Sequence, residues 1–230
     1  MSLSGPKRET SWYRQLGRRL KAHWRFKLIA VASIVAVFFA FYFLLLHYPV
    51  FRVRIVPNTM LDRVISFQPF ALWLYASLFL YIALPSALLD NKRHLVVCLV
   101  VVSGLCLAGL LAFFLWPTGT PPKYLAPADH PVFAPLVAMD KPRNACPSMH
   151  AAFAVFTAIF IHWMASQLGR PHLVRWVSWL WCAGILYSTL ATKQHVAIDL
   201  YTGSGLGAIW ALVYLRFFPP RGSKQLTAKS

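Results

Sequence analysis

LVVCLVVVSGLCLAGLLAFFL, residues 95–115, carries no charge and no polar side chain larger than serine. About 20 consecutive apolar residues in a helix cross the hydrocarbon core of a bilayer, and a helix satisfies its own backbone hydrogen bonds where water is absent. Similar runs recur on both sides of this one. The spacing predicts six spans, at roughly 27–46, 68–89, 94–116, 150–168, 174–192 and 197–217. The predicted fold is therefore all-α: a polytopic membrane protein built as a six-transmembrane helical bundle. Composition agrees, with 58% hydrophobic residues, 13% charged residues and a mean hydropathy of +0.56 drawn from continuous apolar runs rather than alternation.

Six spans place both termini on one side, and Lys and Arg decide which, because positive charge near span ends stays in the cytoplasm. With the N-terminus inside, the cytoplasmic segments hold eight basic residues up to Lys27, then Lys92 and Arg93, Arg170 and Arg175, and four from Arg216 onward. Seven remain outside: Arg52, Arg54, Arg63, Lys123, Lys141, Arg143 and Lys193. A net charge of +17 ordinarily raises nucleic acid as a partner, but topology and anionic lipid headgroups account for most of it, so nucleic acid is not expected. Membrane lipids are the expected surroundings, and oligomeric state is not encoded in any visible pattern.

Three divisions follow: residues 1–26 as a cytoplasmic basic interfacial segment, 27–217 as the membrane domain, and 218–230 as a cytoplasmic basic tail. In the first, Trp12, Leu16 and Leu20 recur at helical spacing with Arg14, Arg18 and Arg25 on another face. The first apolar run is too long for the core of a cleavable signal peptide and is expected to be retained as a span. Cys98, Cys106 and Cys182 fall within spans, leaving Cys146 with no outer partner to bridge. The outer connection 117–149 contains eight prolines and is not expected to be helical throughout. Gly203, Gly205 and Gly207 read as a close-packing face of the last span rather than a phosphate loop.

Two polar signatures interrupt the oily sequence: Cys146-Pro147-Ser148-Met149-His150, and Lys193-Gln194-His195 with Asp199 four residues on. Polar groups at membrane depth are expensive and mark function. His195 and Asp199 share a helical face if the sixth span begins near Lys193, so the carboxylate orients one imidazole nitrogen and leaves the other to attack. Pro147-Ser148 reads as a helix start, with Ser148 as N-cap or first-turn residue of the fourth span. Both spans enter from outside, so their N-terminal ends converge and offer backbone N–H groups to an anion, with Lys123, Arg143 and Lys193 nearby to neutralise phosphate oxygens. Taken singly, His-x-x-x-Asp also fits two ligands of a metal site and Pro-Ser-x-x-His a simple helix cap. His23, His47, His94, His162 and His172 read as interfacial residues.

Together the two signatures resemble the type 2 phosphatidic acid phosphatase superfamily, with its motifs Lys-x6-Arg-Pro, Pro-Ser-Gly-His and Ser-Arg-x5-His-x3-Asp on a six-span bundle. Pro147-Ser148-Met149-His150 matches the second motif with Met149 for Gly, and His195 with Asp199 closes the third. The third motif's Arg falls at Thr189, after Ser188, leaving Lys193 as its substitute, and the first motif survives loosely as Lys123 ahead of His130-Pro131. Pro117-Thr118, Pro121-Pro122-Lys123 and Thr192-Lys193-Gln194-His195 are similar to the branch containing inositol phosphorylceramide synthase and its bacterial relatives.

The resemblance implies a lipid-phosphate phosphatase. His195 attacks phosphorus to form a phosphohistidine, Asp199 orients it, and His150 protonates the leaving alkoxide and then activates water. Ser148, Lys123, Arg143 and Lys193 are the implied phosphate-binding residues, with no metal and no cofactor. The substrate is then a lipid phosphomonoester or diphosphate. One alternative is a phosphotransferase that passes the group to a lipid or sugar hydroxyl, and another is a non-catalytic lipid-phosphate binding or transport protein. Compact loops point to a bacterial inner membrane with a periplasmic site, or otherwise to a eukaryotic endomembrane with a lumenal one.

Overall fold

The computed structural model describes residues 12–121, 143–167 and 172–218. Its helices are α1 (Trp12–Lys21), α2 (Trp24–His47), α3 (Met60–Val64), α4 (Ala71–Ala76), α5 (Leu78–Leu88), α6 (Lys92–Leu115), α7 (Met149–Gln167), α8 (His172–Ala191) and α9 (Ala197–Phe217). Among the described residues five helical stretches are long and apolar enough to cross a membrane: α2, α4 with α5 as one stretch, α6, α7 and α9. The all-α polytopic bundle expected from the sequence is therefore present. The expected fifth span, α8, is as long as its neighbours but diluted by Arg175, three tryptophans and the hydroxyls of Ser178, Ser188 and Thr189. Its outer face nevertheless displays Leu173, Trp176 and Leu180, each about two-thirds exposed.

The predicted second span is interrupted at Ser77, whose hydroxyl donates to the Leu74 carbonyl at 2.6 Å and accepts from Trp181 Nε1 of α8 at 2.9 Å. A hydroxyl that competes for helix carbonyls loosens the ladder locally. Two very short strands, β1 (Arg54–Ile55) and β2 (Thr118–Gly119), pair in parallel, and Arg143 bridges to Gly119. This ribbon was not visible in the sequence. It ties the connections after α2 and α6 to the chain that enters α7.

The core is built around α7, whose Ala151, Ala152, Ala154 and Ala158 are wholly buried. Without a hydrophobic drive between helices in lipid, association depends on close van der Waals contact, which small side chains permit. Gly203 and Gly207 complete it from α9: a Cβ at Gly203 would overlap the Ser148 carbonyl oxygen, and one at Gly207 the Ala152 carbonyl oxygen. Gly205 faces open space. The close-packing reading of the last span thus holds for two of its three glycines.

At the end of the bundle opposite the polar signatures, α1 docks on the close of α5. Arg19 pairs with Asp90 at 3.1 Å and donates to the Leu88 carbonyl at 3.0 Å, while Lys27 Nζ donates to the carbonyls of Arg19 and Ala87. His94 stacks on Phe218, centroids 3.7 Å apart, joining α6 to the end of α9. Replacing Gly203 or Gly207 with valine should force α7 and α9 apart, destabilising the protein by about 1–3 kcal/mol. Thermal unfolding in detergent checks this; Gly205→Ala should leave the Tm where it is.

Candidate active site

His150 is the second residue of α7, and the start of that helix is set by Ser148. The buried Ser148 hydroxyl accepts the Ala151 N–H at 3.3 Å, the N-cap bond expected from Pro147-Ser148. Upstream, the Cys146–Pro147 bond is cis. Cys146 is held through its N–H to Thr118 Oγ1 at 2.8 Å, and its own carbonyl accepts from that hydroxyl at 3.2 Å. The β1–β2 ribbon therefore aims the α7 entry.

His195 sits in the turn between α8 and α9. Its N–H, at 3.3 Å, and that of Gln194, at 3.2 Å, both donate to the Thr189 carbonyl. Asp199, wholly buried in the first turn of α9, accepts the Val196 N–H at 3.0 Å through Oδ2. The same oxygen lies 3.4 Å from His195 Nδ1, within ion-pair range but not aligned as a hydrogen bond, and Asp199 Oδ1 has no hydrogen-bond partner. Such a contact tightens once the ring is positively charged. The two signatures meet directly, because Ser148 N–H donates to the Asp199 carbonyl at 2.9 Å. The His150 and His195 rings consequently lie 5.7 Å apart between centroids, inclined at 56°. Groups of about 3 Å reach on each side place both rings within touch of one phosphoryl group.

Both rings look into a cavity of about 570 Å³ walled by α2, α5, α6 and α7. Its wall is almost entirely apolar, with Phe38, Phe39, Tyr42 and Phe153 on one side and Leu78 and Ile82 on another. Along α6 it extends from Phe113 to Cys98, a rise of about 22 Å at ~1.5 Å per residue.

Two predicted phosphate ligands are placed on backbone carbonyls. Arg143 Nη1 donates to Leu46 O at 3.3 Å, and Lys193 Nζ donates to the carbonyls of Asp62, at 2.9 Å, and Ile65. Burial pulls the Lys193 ammonium below the usual lysine range, and the nearby Asp62 carboxylate opposes the shift. The α9 end differs from expectation too: its Val196 and Ala197 N–H groups are taken by Asp199 and Asp62, not left for an anion. Lys123, and with it the loose first motif as far as Pro131, lies outside the described residues. Burial pushes the Cys146 thiol up, so it stays protonated beside Thr202. Among the described residues no group of three or more His, Cys, Asp or Glu side chains is arranged to hold a metal ion.

Two further residues touch the site without any sequence signal. Tyr75, at the end of α4, stacks on His150 with centroids 4.2 Å apart, and its hydroxyl lies 3.4 Å from His150 Nδ1. Asp62 of α3 is buried and caps α9 through the Ala197 N–H at 2.8 Å. Neither stands in a recognisable spacing to a histidine, so only the folded chain brings them in.

In this membrane bundle two histidines line one apolar cavity, and a buried carboxylate stands behind one of them. This chain belongs to the PAP2 superfamily, whose model matches residues 93–223. That membership makes it a membrane protein of the phosphatase or phosphotransferase type. No curated protein and no solved structure matches it significantly. The branch suggested by Thr192-Lys193-Gln194-His195 has no further support from these comparisons. Tyr75→Phe keeps the stack and deletes the hydroxyl beside His150. It should lower kcat severalfold with KM nearly unchanged, measured on a lipid phosphate in detergent micelles.

Proposed function

We propose that this protein is a lipid-phosphate phosphatase working through a phosphohistidine. The observation that carries this reading is the 5.7 Å separation of the His150 and His195 rings, both lining one apolar cavity, in a chain of the PAP2 superfamily. The lipid tail occupies the cavity and its phosphate lies between the rings.

A ring nitrogen of His195 attacks phosphorus, the bond from phosphorus to the lipid oxygen breaks, and protonated His150 gives that oxygen its proton. The His195 imidazolium so formed is stabilised by Asp199, whose buried carboxylate is already within 3.4 Å. Neutral His150 then takes a proton from water as its oxygen attacks the phosphohistidine. Breaking the P–N bond releases inorganic phosphate and restores His195. Lys123 and the guanidinium N–H groups of Arg143 other than the one on the Leu46 carbonyl meet the phosphate charge, Lys193 adds positive potential beside the nucleophile, and the capped Ser148 turn holds the α7 end against the phosphate. No step in this sequence needs a metal.

The site faces away from the cytoplasm, a reading supported by the distribution of Lys and Arg between the two ends, 16 against seven. In a bacterium that is the periplasmic side of the inner membrane, and in an endomembrane the lumenal one. A lipid or sugar hydroxyl in place of water turns the same intermediate into a transfer reaction. A lipid phosphate labelled on phosphorus separates the two: label in inorganic phosphate supports hydrolysis, and label in a new lipid or glycan overturns it in favour of transfer.

His195→Ala should abolish turnover in folded protein, and retained turnover would contradict the assignment. His150→Ala should still be phosphorylated by p-nitrophenyl phosphate, whose leaving group needs no proton, but should fail to hydrolyse the product. Acid-labile phosphate on His195, mapped by mass spectrometry, is the expected result; its absence in both wild type and variant would favour a binding or transport role.

A further inference from the structure

α3 lies in the connection between the first two long apolar helices, ahead of the stretch that matches the family. It grips the turn carrying His195 at two points that bracket the imidazole. Two residues before it, Lys193 Nζ donates to the Asp62 and Ile65 carbonyls. Two residues after it, the Ala197 N–H donates to Asp62 Oδ1 at 2.8 Å. The other carboxylate oxygen, Oδ2, accepts Thr59 N–H at 2.7 Å and the Thr59 hydroxyl at 2.8 Å. Asp62 is only 3% exposed and its bond to the Ala197 N–H is buried, where losing a partner is costly, while the Thr59 and Lys193 bonds are part-buried.

The turn needs such a grip. Lys193 has φ 58, a left-handed backbone that L-residues with a Cβ adopt at a free-energy cost and keep only when their surroundings hold them. The α8 carbonyls of Leu190 and Thr189 hold the turn from its own side, accepting from Lys193, Gln194 and His195. α3 holds it from the other. The positive end of α9 adds to the attraction for both carboxylates there, Asp199 from within the helix and Asp62 from across the fold.

We propose that Asp62 is a positioning residue for the reaction: it fixes the 193–197 turn so that the His195 ring stays directed at His150, and it does not itself touch the substrate. This rests on the phosphatase reading, and the chain of contacts is Asp62 to Ala197 and Lys193, then to His195. A nucleophile displaced by about 1 Å loses up to ~100-fold in rate.

The test compares Asp62→Ala and Asp62→Asn with wild type in one detergent, with His195→Ala as the blank. Two readouts are taken: steady-state kinetics on a lipid phosphate, and the rate at which diethyl pyrocarbonate modifies His195, followed by peptide mass spectrometry. The expected result for Asp62→Ala is a kcat lower by about 10- to 100-fold with KM within about twofold, and severalfold faster modification of His195. Asp62→Asn keeps an acceptor for Ala197 but turns an amide N–H₂ toward Thr59, so it should fall between, and it serves for both readouts if the alanine variant does not fold. Unchanged kcat and unchanged modification, or a raised KM with kcat intact, would overturn the positioning role. If wild type has no turnover, the phosphatase reading fails, and the modification rates alone decide whether Asp62 holds the turn.

Discussion

The approach of α7 to α9 is the constraint on which the rest of this structure depends. Glycines at 203 and 207 let the α9 backbone settle against the carbonyls of Ser148 and Ala152, a distance no other residue permits. At the head of that seam the Ser148 N–H reaches the Asp199 carbonyl, and this bond puts the first turn of one helix in register with the first turn of the other. His150 and His195 are carried into proximity as a consequence. Two histidines 45 residues apart become one site because two helices of small residues pack with almost nothing between them.

The remainder of the site is support for that register. The β1–β2 ribbon and Thr118 aim the chain into α7, Asn144 Nδ2 donates to the Tyr42 carbonyl, and Arg143 closes the last turn of α2. On the α9 side the same service comes from α3. These contributors lie mostly outside the helices that carry the histidines, and α3, Tyr75 and β1 precede the stretch shared with the PAP2 superfamily. The shared part carries His150, His195, Asp199 and the α6 and α7 walls of the cavity; the preceding part adds the α2 and α5 walls, the Tyr75 ring stack and the Asp62 contacts.

What could be read from the sequence follows from which forces are local. Apolar runs such as 95–115 announce their environment because burying a backbone in lipid has one common solution for a run of that length. Ser148 as a helix cap is likewise local geometry, and the structure places it as read. His195 and Asp199 come within 3.4 Å as their spacing suggested, but the helix begins at Ala197, so His195 sits in the turn before it rather than on a shared helical face. Lys193 illustrates the opposite case. Its charge and its place beside His195 suggested a phosphate ligand, but the ammonium donates to the carbonyls of Asp62 in α3 and of Ile65 just after it, more than 125 residues away in the chain. Asp62 and Tyr75 were invisible for the same reason, since no periodicity connects them to the histidines they serve. The dilution of α8 by tryptophan, arginine and hydroxyls shows how a helix of spanning length can differ in apolarity from its neighbours while packing beside them.

The central claim is that the two imidazoles address a single phosphorus atom, and vanadate, which takes the geometry of a phosphoryl group in transfer, tests it directly. A cryo-EM or crystal structure of the protein with bound vanadate should place vanadium in bonding contact with a His195 ring nitrogen, with His150 directed at an oxygen on the opposite side. Vanadate bound away from His195, or the two rings drawn apart and facing different surfaces, would contradict it.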